Sequence, residues 1–365
     1  MYYTYMDFIG DIDKLRRQNV LVGTVGTSET GLEIPYIFVG NHSGPQAIIT
    51  GAIHTRENLT AKLLVMQAYY TAFKAKSING GVYFVPFVNP DGAILLELKD
   101  SNIDLVVSKY SHLLSDKIGE NLNKILNLTC PKKLHNFDNF FELGLSDLFS
   151  LKHFPFNQND PKAHSIPKKT YEKNQLKSDW QKAKAIFLKQ KIEGAIAVNG
   201  GSLDFSLYKA NINGVDLNNN FDAKFGQGAG QVFAAATQGF CGRFPFCQKE
   251  SAALKNFSLA VRPDITVSYH AKGQEVYYQF FQDQIDFARD KKIAKSIANH
   301  LGYRLVDGDL GSSGGYKDWC IDFLKVPALT IEIVDDLYPH PLSVDLLEKE
   351  WDKNKDIPSM ILEGL

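Results

Sequence analysis

The sequence predicts an α/β fold with a largely buried β-sheet, and two observations lead to this prediction. Short runs rich in β-branched and aromatic residues alternate along the chain with stretches of helical periodicity. Several of these runs are apolar throughout, as expected for strands that are covered on both faces. The 365 residues, 44% of them apolar, are enough to build a substantial core. Such alternation is typical of a layered α/β domain.

Five runs are predicted to be strands, and four stretches are predicted to be helices. The strands are IPYIFVG (34–40), AIITGAI (47–53), GVYFVPFV (81–88), DITVSYH (264–270) and ALTIEIV (328–334). The helices are residues 57–75, 247–260, 284–302 and 343–354. We therefore expect helices to cover both faces of one sheet.

The region from 95 to 200 interrupts this alternation. It is rich in lysine, lacks arginine and contains the polar stretch FPFNQNDPKAHSIPKKTYEKNQ. We predict that residues 1–94 and 201–365 form the main domain and that 95–200 is an insertion made mainly of helices and loops. Its lysines favour a solvated cap, and the alternative is a rim that faces the substrate.

The charge balance excludes several classes of partner. With 40 basic and 41 acidic residues, the formal net charge is −1, so no electrostatic signal for nucleic acid or an anionic membrane is present. No apolar run approaches the roughly 18 residues of a membrane span. The acidic N-terminal stretch lacks the features of a signal peptide. These features predict a cytoplasmic protein as written, or a periplasmic or extracellular one if a signal was removed, and they predict no oligomeric state.

The four cysteines, Cys130, Cys241, Cys247 and Cys320, form no CxxC pair and are too sparse for a disulfide framework. We interpret them as structural thiols. A bridge between Cys241 and Cys247 is the alternative.

His54 and Glu57 lie three residues apart in GAIHTRENLTAKLL (51–64), where an apolar run gives way to a helical pattern. An H-x-x-E pair alone is common, and a single histidine is more often structural than a ligand. Here the histidine closes a predicted strand and the glutamate opens a predicted helix. Both therefore lie at the carboxyl end of the strand, where open α/β sheets bind ligands. A metal site at this position needs a third ligand.

His270 ends the predicted strand DITVSYH in the same way. Two histidines and one glutamate match the three protein ligands of a catalytic zinc ion. Such an ion needs a carboxylate nearby to transfer protons. Glu332 lies inside the apolar run ALTIEIV, where an unpaired charge is costly. Glu332 is therefore the candidate proton acceptor, and the alternative is a solvent-facing carboxylate on an edge strand.

Together these motifs resemble the M14 zinc metallocarboxypeptidase family, and more narrowly its branch of γ-D-glutamyl-diamino acid peptidases, which act on bacterial murein peptides. The resemblance covers about residues 3–94 and 203–355. It implies a mixed, largely buried sheet sandwiched by helices. The motifs that carry it are HTRE (54–57), NPDG (89–92), YKANINGVDLNNNFDAKFG (208–226), SYH (268–270) and TIEI (330–333).

Carried over to this chain, the resemblance implies one zinc ion bound by His54, Glu57 and His270. It makes Glu332 the general base and acid. It also makes Asp216 a carboxylate that orients a ligand histidine, since a ligand imidazole usually donates its free N–H to an outer acceptor.

Four cations are candidates for contacts with the substrate. Arg56 and Lys209 are placed to stabilise the oxyanion formed when water attacks the amide carbonyl, and the alternative is that both are ordinary surface cations. Alignment of SSGGYKDW places Lys317 at the floor of the specificity pocket, where a cation favours an acidic substrate. Arg243, in the loop GFCGRFPF, is a second candidate for that role.

The sequence also departs from the family pattern. The family's NRN is NNN here, so Asn219, next to Asn218, replaces the arginine that normally docks the terminal carboxylate of the substrate. Leu310 stands where the family usually has a mobile tyrosine, and nearby Tyr316 is the candidate to replace it.

The leading hypothesis is a zinc-dependent peptidase that hydrolyses an amide bond in murein-type peptides containing diaminopimelate. Its expected partner is a small peptide. One alternative is an ordinary metallocarboxypeptidase or deacylase that releases an acidic residue. Another is an inactive zinc-containing module that binds peptides, although a buried proton acceptor at Glu332 argues against it.

Overall fold

The structure is a computed structural model and describes residues 2–74, 78–115, 173–308 and 311–364, with side chains from residue 181 in the helix that begins at Lys173. In these described residues, eight strands form one sheet, and helices lie on both of its faces. The strands are β1 (Leu21–Thr27), β2 (Glu33–Gly40), β3 (Gln46–Thr50), β4 (Gly81–Val85), β5 (Ile265–Ala271), β6 (Glu275–Tyr277), β7 (Arg304–Val306) and β8 (Ala328–Ile333).

The α-helices in the described chain follow the same alternation. They are α1 (Tyr5–Arg17), α2 (Leu59–Phe73), α3 (Pro90–Leu96), α4 (Ile103–Tyr110), α5 (Lys173–Val198), α6 (Lys249–Val261), α7 (Gln284–Leu301), α8 (Tyr316–Trp319), α9 (Leu347–Asn354) and α10 (Ile357–Glu363). Short 3₁₀ turns, including Thr55–Glu57 and Leu217–Asn219, connect some of the elements.

The sheet is mixed, with the strand order β1-β2-β4-β3-β5-β8-β6-β7. Its centre is parallel, because β3 pairs in parallel with both β4 and β5, and β5 pairs in parallel with β8. The pairs β1–β2, β2–β4 and β6–β8 are antiparallel. The parallel centre brings the carboxyl ends of β3, β5 and β8 to one edge of the sheet.

Both faces of the central strands are covered, which explains their apolar sequences. On β3, Ala47 and Ile49 pack into one hydrophobic cluster, and Ile48 packs into a second cluster on the opposite face. Every residue of β5 is buried. The predicted α/β class and the mixed, largely buried sheet are thus confirmed.

All five predicted strands and all four predicted helices are present, with shifts of a few residues at their ends. The run 81–88 ends as a strand at Val85, before Pro86, and 47–53 ends at Thr50. The sequence did not predict β1, β6 or β7. The first contains two glycines, and the other two are only three residues long.

The described parts of the region 95–200 are mainly helical. Helix α4 packs against α5, and Lys189 of α5 pairs with Asp104 of α4 at the surface. Residues 116–172, with Cys130, lie outside the described residues, so the insertion and its role as cap or rim stay predictions. No described helix is both long and apolar enough to cross a membrane.

Candidate metal centre

His54, Glu57 and His270 meet at the carboxyl edge of the central strands. His54 follows β3 and precedes the 3₁₀ turn Thr55–Glu57, which places Glu57 one turn later on the same side. His270 lies near the end of β5, the neighbour of β3. All three side chains are buried.

The ligand atoms of these three residues are close enough to share one cation. Nδ1 of His54 lies 2.9 Å from Oε1 of Glu57, and Nδ1 of His270 lies 3.0 Å from Oε2 of the same carboxylate. The two Nδ1 atoms are 3.2 Å apart. Four ligands about 2.1 Å from a tetrahedral zinc ion are separated by roughly 3.4 Å, so the spacing fits such an ion.

A second observation supports this fit. The Nδ1 atoms of the two imidazoles face each other and the same carboxylate. When either ring lacks a proton on Nδ1, its lone pair faces the carboxylate oxygens with no hydrogen between them. A cation accepts lone pairs from both nitrogens and the carboxylate. In the described residues, no other group of three or more histidine, cysteine or acidic side chains gathers in this way. The residues present therefore fit zinc.

Asp216 orients one of the candidate ligands. Its Oδ1 lies 3.2 Å from Nε2 of His54, on the ring side opposite the cluster. The carboxylate also accepts hydrogen bonds from the backbone N–H groups of Asn218 and Gly239, at 3.2 and 3.0 Å. This arrangement is the outer-shell contact that metal-binding histidines usually make.

Main-chain contacts brace the HTRE segment from two sides. The N–H groups of Thr55 and Arg56 donate to the carbonyls of Lys209 and Tyr208, at 3.3 and 3.0 Å. Asn89, of the NPDG motif, donates from its amide group to the carbonyl of Ile53. The motifs quoted from the sequence thus contact one another directly.

The contact between the NPDG and HTRE motifs requires glycine at position 92. A Cβ atom at Gly92 would lie 2.3 Å from Oγ1 of Thr55. The hydroxyl of Thr55 in turn donates to the carbonyl of Ala210, at 2.6 Å. The NPDG motif therefore packs tightly against Thr55, which lies between the candidate ligands His54 and Glu57.

Glu332 lies beside His270 because the two residues are register partners in the parallel pair β5–β8. Neighbouring residues in register point to the same side of a sheet. On the other side, Glu275 of β6 is the register partner of Glu332. The sequence analysis did not identify Glu275, whose strand is only three residues long.

The charges of the cluster shift its pKa values strongly. Burial alone would lower the pKa of His54, but the carboxylates of Glu57 and Asp216 outweigh burial and raise it to about 9. Burial would raise the pKa of Glu57, but the two histidines hold it well below its usual range. Desolvation, followed by the negative charge of Glu57, raises the pKa of Glu332 to about 8. Glu332 therefore holds a proton at neutral pH in the metal-free protein.

Of the two cations predicted near the reaction, Lys209 acts on the proton acceptor: its positive charge lowers the pKa values of Glu332 and His270. The guanidinium of Arg56 makes a weak contact with the carbonyl of Leu207, at 3.5 Å. Its Nε is buried and has no hydrogen-bond partner in the described part of the chain.

Asn218 and Asn219 lie in a 3₁₀ turn close to the cluster, because Asp216 caps that turn. Oδ1 of Asn218 accepts the N–H of Tyr316, at 3.1 Å. Oδ1 of Asn219 accepts a hydrogen bond of 3.1 Å from Nε2 of Gln231, which also donates to the carbonyl of Ser313 at 2.8 Å. Gln231 thus fixes the orientation of the side chain that replaces the family's arginine, and no motif had indicated it.

The remaining predicted substrate contacts have different surroundings. Lys317 is buried, and its ammonium donates to Oδ1 of Asp318 and to the carbonyl of Gln279, at 2.6 and 2.9 Å. Arg243 is exposed. Leu310 lies outside the described residues.

Tyr316 is not free to act as the mobile tyrosine. Its side chain is fully buried, packs on Phe221 and Trp319, and shares a hydrogen bond of 2.8 Å with Ser258. We therefore do not assign it a contact with the substrate.

The cysteines described by the structure are free thiols: Cys241 and Cys320 are buried, and Cys247 is partly buried. This agrees with the interpretation as structural thiols. The alternative bridge between Cys241 and Cys247 is not formed.

The fold and the cluster together define a metalloprotein of the α/β class with two histidines and a glutamate at the carboxyl edge of its sheet. The family model described as zinc carboxypeptidase, peptidase M14, matches residues 5–356. The chain therefore belongs to the zinc carboxypeptidase family, and the resemblance predicted from its motifs is confirmed.

Two curated bacterial proteins match part of the chain. It is 30% identical over 149 residues to γ-D-glutamyl-L-diamino acid endopeptidase 1 of Lysinibacillus sphaericus, which covers 40% of this chain and 37% of that protein. It is 29% identical over 142 residues to the uncharacterized protein YqgT of Bacillus subtilis strain 168, which covers 38% of this chain and 37% of that one. The matches thus span little more than a third of each relative.

Two solved structures share the fold of the described residues. Bovine thrombin-activatable fibrinolysis inhibitor, in complex with tick carboxypeptidase inhibitor, has a TM-score of 0.60 at 14% identity and covers 100% of this chain and 97% of its own. Carboxypeptidase A of Helicoverpa armigera has the same TM-score and identity, and covers 100% and 73%. At this identity, the similarity establishes the fold.

We expect His270→Ala to fold and to lose zinc, because it removes one of three ligands of the candidate site. Zinc content is measured by mass spectrometry after dialysis against a mild chelator. His300→Ala, at an exposed histidine of α7, is the matched control and should keep the metal content of the parent. Stoichiometric zinc in the His270 variant would show that the ligand assignment is wrong.

The metal-free protein should become less stable as pH rises from about 6.5 to 9. The folded-state pKa values of His54, about 9, and of Glu332, about 8, lie above the ordinary values of 6.5 and 4.5. The unfolded chain therefore releases these protons first, and the folded state loses stability as pH rises.

The melting temperature of chelator-treated protein tests this pH dependence. Glu332→Gln should flatten the decline, since it removes one of the two groups. Glu348→Gln, at an exposed glutamate, should keep the slope of the parent. A melting temperature that is constant or rises over this range would contradict the pKa directions.

Proposed function

We propose that the protein is a zinc-dependent peptidase that hydrolyses an amide bond in murein-type peptides containing diaminopimelate. The observation that carries this proposal is the buried cluster of two imidazoles and one carboxylate, with Glu332 in register beside His270. Membership of the zinc carboxypeptidase family supports the reaction. The relative from L. sphaericus, a γ-D-glutamyl-L-diamino acid endopeptidase by its name, supports the substrate class.

In this proposal, His54, Glu57 and His270 hold one zinc ion, and Asp216 orients the ring of His54. A bound zinc ion would polarise the scissile carbonyl and the attacking water. Glu332 takes a proton from that water and later returns it to the leaving amine. Its pKa of about 8 in the metal-free protein shows how strongly the surroundings oppose its charge, so a nearby cation brings it towards the range of a general base.

Lys209 is the cation that we propose for oxyanion stabilisation. Its positive charge lowers the pKa values of both Glu332 and His270. Its backbone is also fixed, since its N–H donates to the carbonyl of Thr237 at 2.9 Å and its carbonyl accepts from Thr55. A positioned cation stabilises the charge that develops on the carbonyl oxygen.

On the leaving side of the substrate, Asn219 favours a neutral group. With Oδ1 engaged by Gln231, the side chain of Asn219 has its Nδ2 donor left to offer. An amide donor binds a carbonyl oxygen well and replaces an arginine–carboxylate pair poorly. The neutral side chain of Asn219 therefore argues against an ordinary carboxypeptidase. It favours a substrate whose peptide chain continues past this point, or whose carboxylate lies at another position.

Lys317 is our candidate for binding a carboxylate on the leaving residue, with Arg243 as the reserve. Asp318 already pairs with its ammonium, so the pair has no net charge. The electrostatic attraction of Lys317 for an acidic group of the substrate is therefore weaker than that of an unpaired lysine.

Incubation of the zinc-loaded protein with purified muropeptides, followed by mass spectrometry of the products, tests the proposed function. We expect cleavage of an amide bond beside diaminopimelate. Release of a C-terminal acidic residue from unrelated peptides would favour an ordinary carboxypeptidase. Binding of muropeptides without any product would favour an inactive binding module.

Glu332→Gln should reduce turnover by about 10² or more, because it keeps the shape of the side chain and removes the proton acceptor. Zinc content should remain that of the parent. Glu348→Gln serves as the control on the surface. Equal turnover in the Glu332 variant and the parent would exclude Glu332 as the base.

Lys317→Met should reduce kcat/KM on a peptide with an acidic leaving residue more than on its amidated analogue, which lacks the charge. A hydrogen bond to a charged group contributes about 1.5 to 3 kcal/mol, or roughly 10- to 150-fold. Because Asp318 competes for the ammonium, we expect the lower end of this range. Equal losses on the two peptides would show that Lys317 has a structural role.

A further inference from the structure

Asn219 lies on the turn that begins at Asp216, and its backbone position is fixed from two sides. Its N–H donates to the carbonyl of Asp216, at 2.9 Å, and the carboxylate of Asp216 contacts His54. A Cβ atom at Gly314 would lie 2.7 Å from the carbonyl oxygen of Asn219, so a second loop packs closely against it. The direction of the side-chain amide then decides whether Asn219 offers a donor or an acceptor.

Gln231 holds that amide in one direction. Its Nε2 donates to Oδ1 of Asn219 and to the carbonyl of Ser313, at 3.1 and 2.8 Å. Its Oε1 accepts the backbone N–H of Gly228, at 3.3 Å. The side chain of Gln231 therefore bonds to its own loop, to the loop of Ser313 and to Asn219.

The polarity of these bonds is set by the backbone. A half-turn of a side-chain amide would exchange its donor for its acceptor. The carbonyl of Ser313 can only accept and the N–H of Gly228 can only donate, so Gln231 must direct Nε2 at the first and Oε1 at the second. The atom of Asn219 that meets Nε2 must then be its oxygen. Reversal of either amide would bring two donors or two acceptors together.

The two loops that fix Gln231 are joined to each other. The hydroxyl of Ser313 donates to the carbonyl of Lys224, at 3.0 Å. A Cβ atom at Gly228 would lie 2.9 Å from Oγ of Ser313, so glycine allows the close approach of the loops. The carbonyl and the N–H that orient Gln231 are therefore held in place relative to each other.

Nδ2 is the atom that Asn219 has left to offer. It has no hydrogen-bond partner among the described residues, and it is not one of the buried atoms without a partner. The residue as a whole is partly exposed. Nδ2 is therefore an accessible donor.

We propose that Gln231 is a positioning residue that makes the site select an uncharged acceptor, the carbonyl oxygen of a continuing peptide bond, on the leaving half of the substrate. This inference rests on the proposed function and names the group that Asn219 recognises. A group that can only donate would meet Nδ2 donor to donor. A carboxylate would exchange water for one neutral donor, which compensates its charge poorly.

Two peptides test the proposal. Both contain the γ-D-glutamyl-diaminopimelate bond, and they differ at the carboxyl group on the carbon that carries the scissile nitrogen, which is a methyl ester in one and a primary amide in the other. The ester has acceptors only, whereas the amide has an acceptor and donors. The zinc-loaded parent should cleave both with similar kcat/KM, because Nδ2 of Asn219 binds the carbonyl oxygen in each.

Gln231→Glu should reverse the polarity of Asn219. The new carboxylate can only accept, so the amide of Asn219 turns its nitrogen towards it and its oxygen towards the substrate. That oxygen accepts from the amide peptide and repels the ester. The ratio of kcat/KM, ester over amide, should fall by roughly 2- to 13-fold, the range of one neutral hydrogen bond. A merely structural role of Gln231 would lower both values equally.

Three controls isolate the contact with Asn219. Gln231→Met frees the amide of Asn219 to turn to suit either peptide, so the ratio should stay close to that of the parent. Gln227→Met, at an exposed glutamine of the same loop, should behave as the parent. In an Asn219→Ala background, Gln231→Glu should no longer change the ratio, because Gln231 acts through Asn219.

Asn219→Asp keeps the test decisive if Gln231→Glu does not fold. It retains an oxygen for Nε2 of Gln231 and presents a second oxygen to the substrate, so it should give the same selective loss on the ester. An equal effect on the two peptides would overturn the inference.

The outcomes separate this inference from the proposed function. An unchanged ratio in folded Gln231→Glu, or a change that persists without Asn219, would overturn the inference while cleavage by the parent leaves the proposed function standing. Absence of cleavage of either peptide by the zinc-loaded parent would overturn the proposed function and the inference with it. A selective loss on the ester that depends on Asn219 would support both.

Discussion

The parallel register of three adjacent strands is the constraint on which this molecule depends. β3, β5 and β8 run in the same direction, so the segments that end them deliver His54, His270 and Glu332 to one edge. Since His270 and Glu332 are direct register partners, a shift of one residue in β8 would turn Glu332 to the opposite face. The apolar residues on both faces oppose such a shift, because each face has its own hydrophobic cluster. Core packing thus fixes the relative positions of His54, His270 and Glu332.

The electrostatics of the edge follow from this convergence. Buried imidazoles and carboxylates stabilise one another in part: Glu57 and Asp216 hold the proton of His54, while the same Glu57 opposes the ionisation of Glu332. Loop residues then fix the orientation of each group, through the backbone N–H of Gly239 for Asp216 and through Gln231 for Asn219. Hydrogen bonds from the loops therefore orient the side chains of the centre.

Much of the fold and of the centre was predictable, because its signals are local. A fully apolar strand indicates a sheet that is covered on both faces. A histidine at the end of such a strand indicates a residue at the carboxyl edge of the sheet. The three-residue strands β6 and β7 are too short to show a period, so Glu275 was missed. The burial of Tyr316 in the core was not predicted, because alignment gives a position along the chain and not the direction of a side chain. Gln231 acts through contacts with Asn219 and the distant Ser313, which no motif contains.

The candidate ligands Glu57 and His270 are 213 positions apart in the chain, and the whole region 95–200 lies between them. A cation held by both acts as a cross-link that closes this long loop. The entropy lost on closing a loop grows only with the logarithm of its length, so doubling the loop adds about 0.6 kcal/mol. Lengthening or shortening the intervening segment should therefore cost the metal centre little.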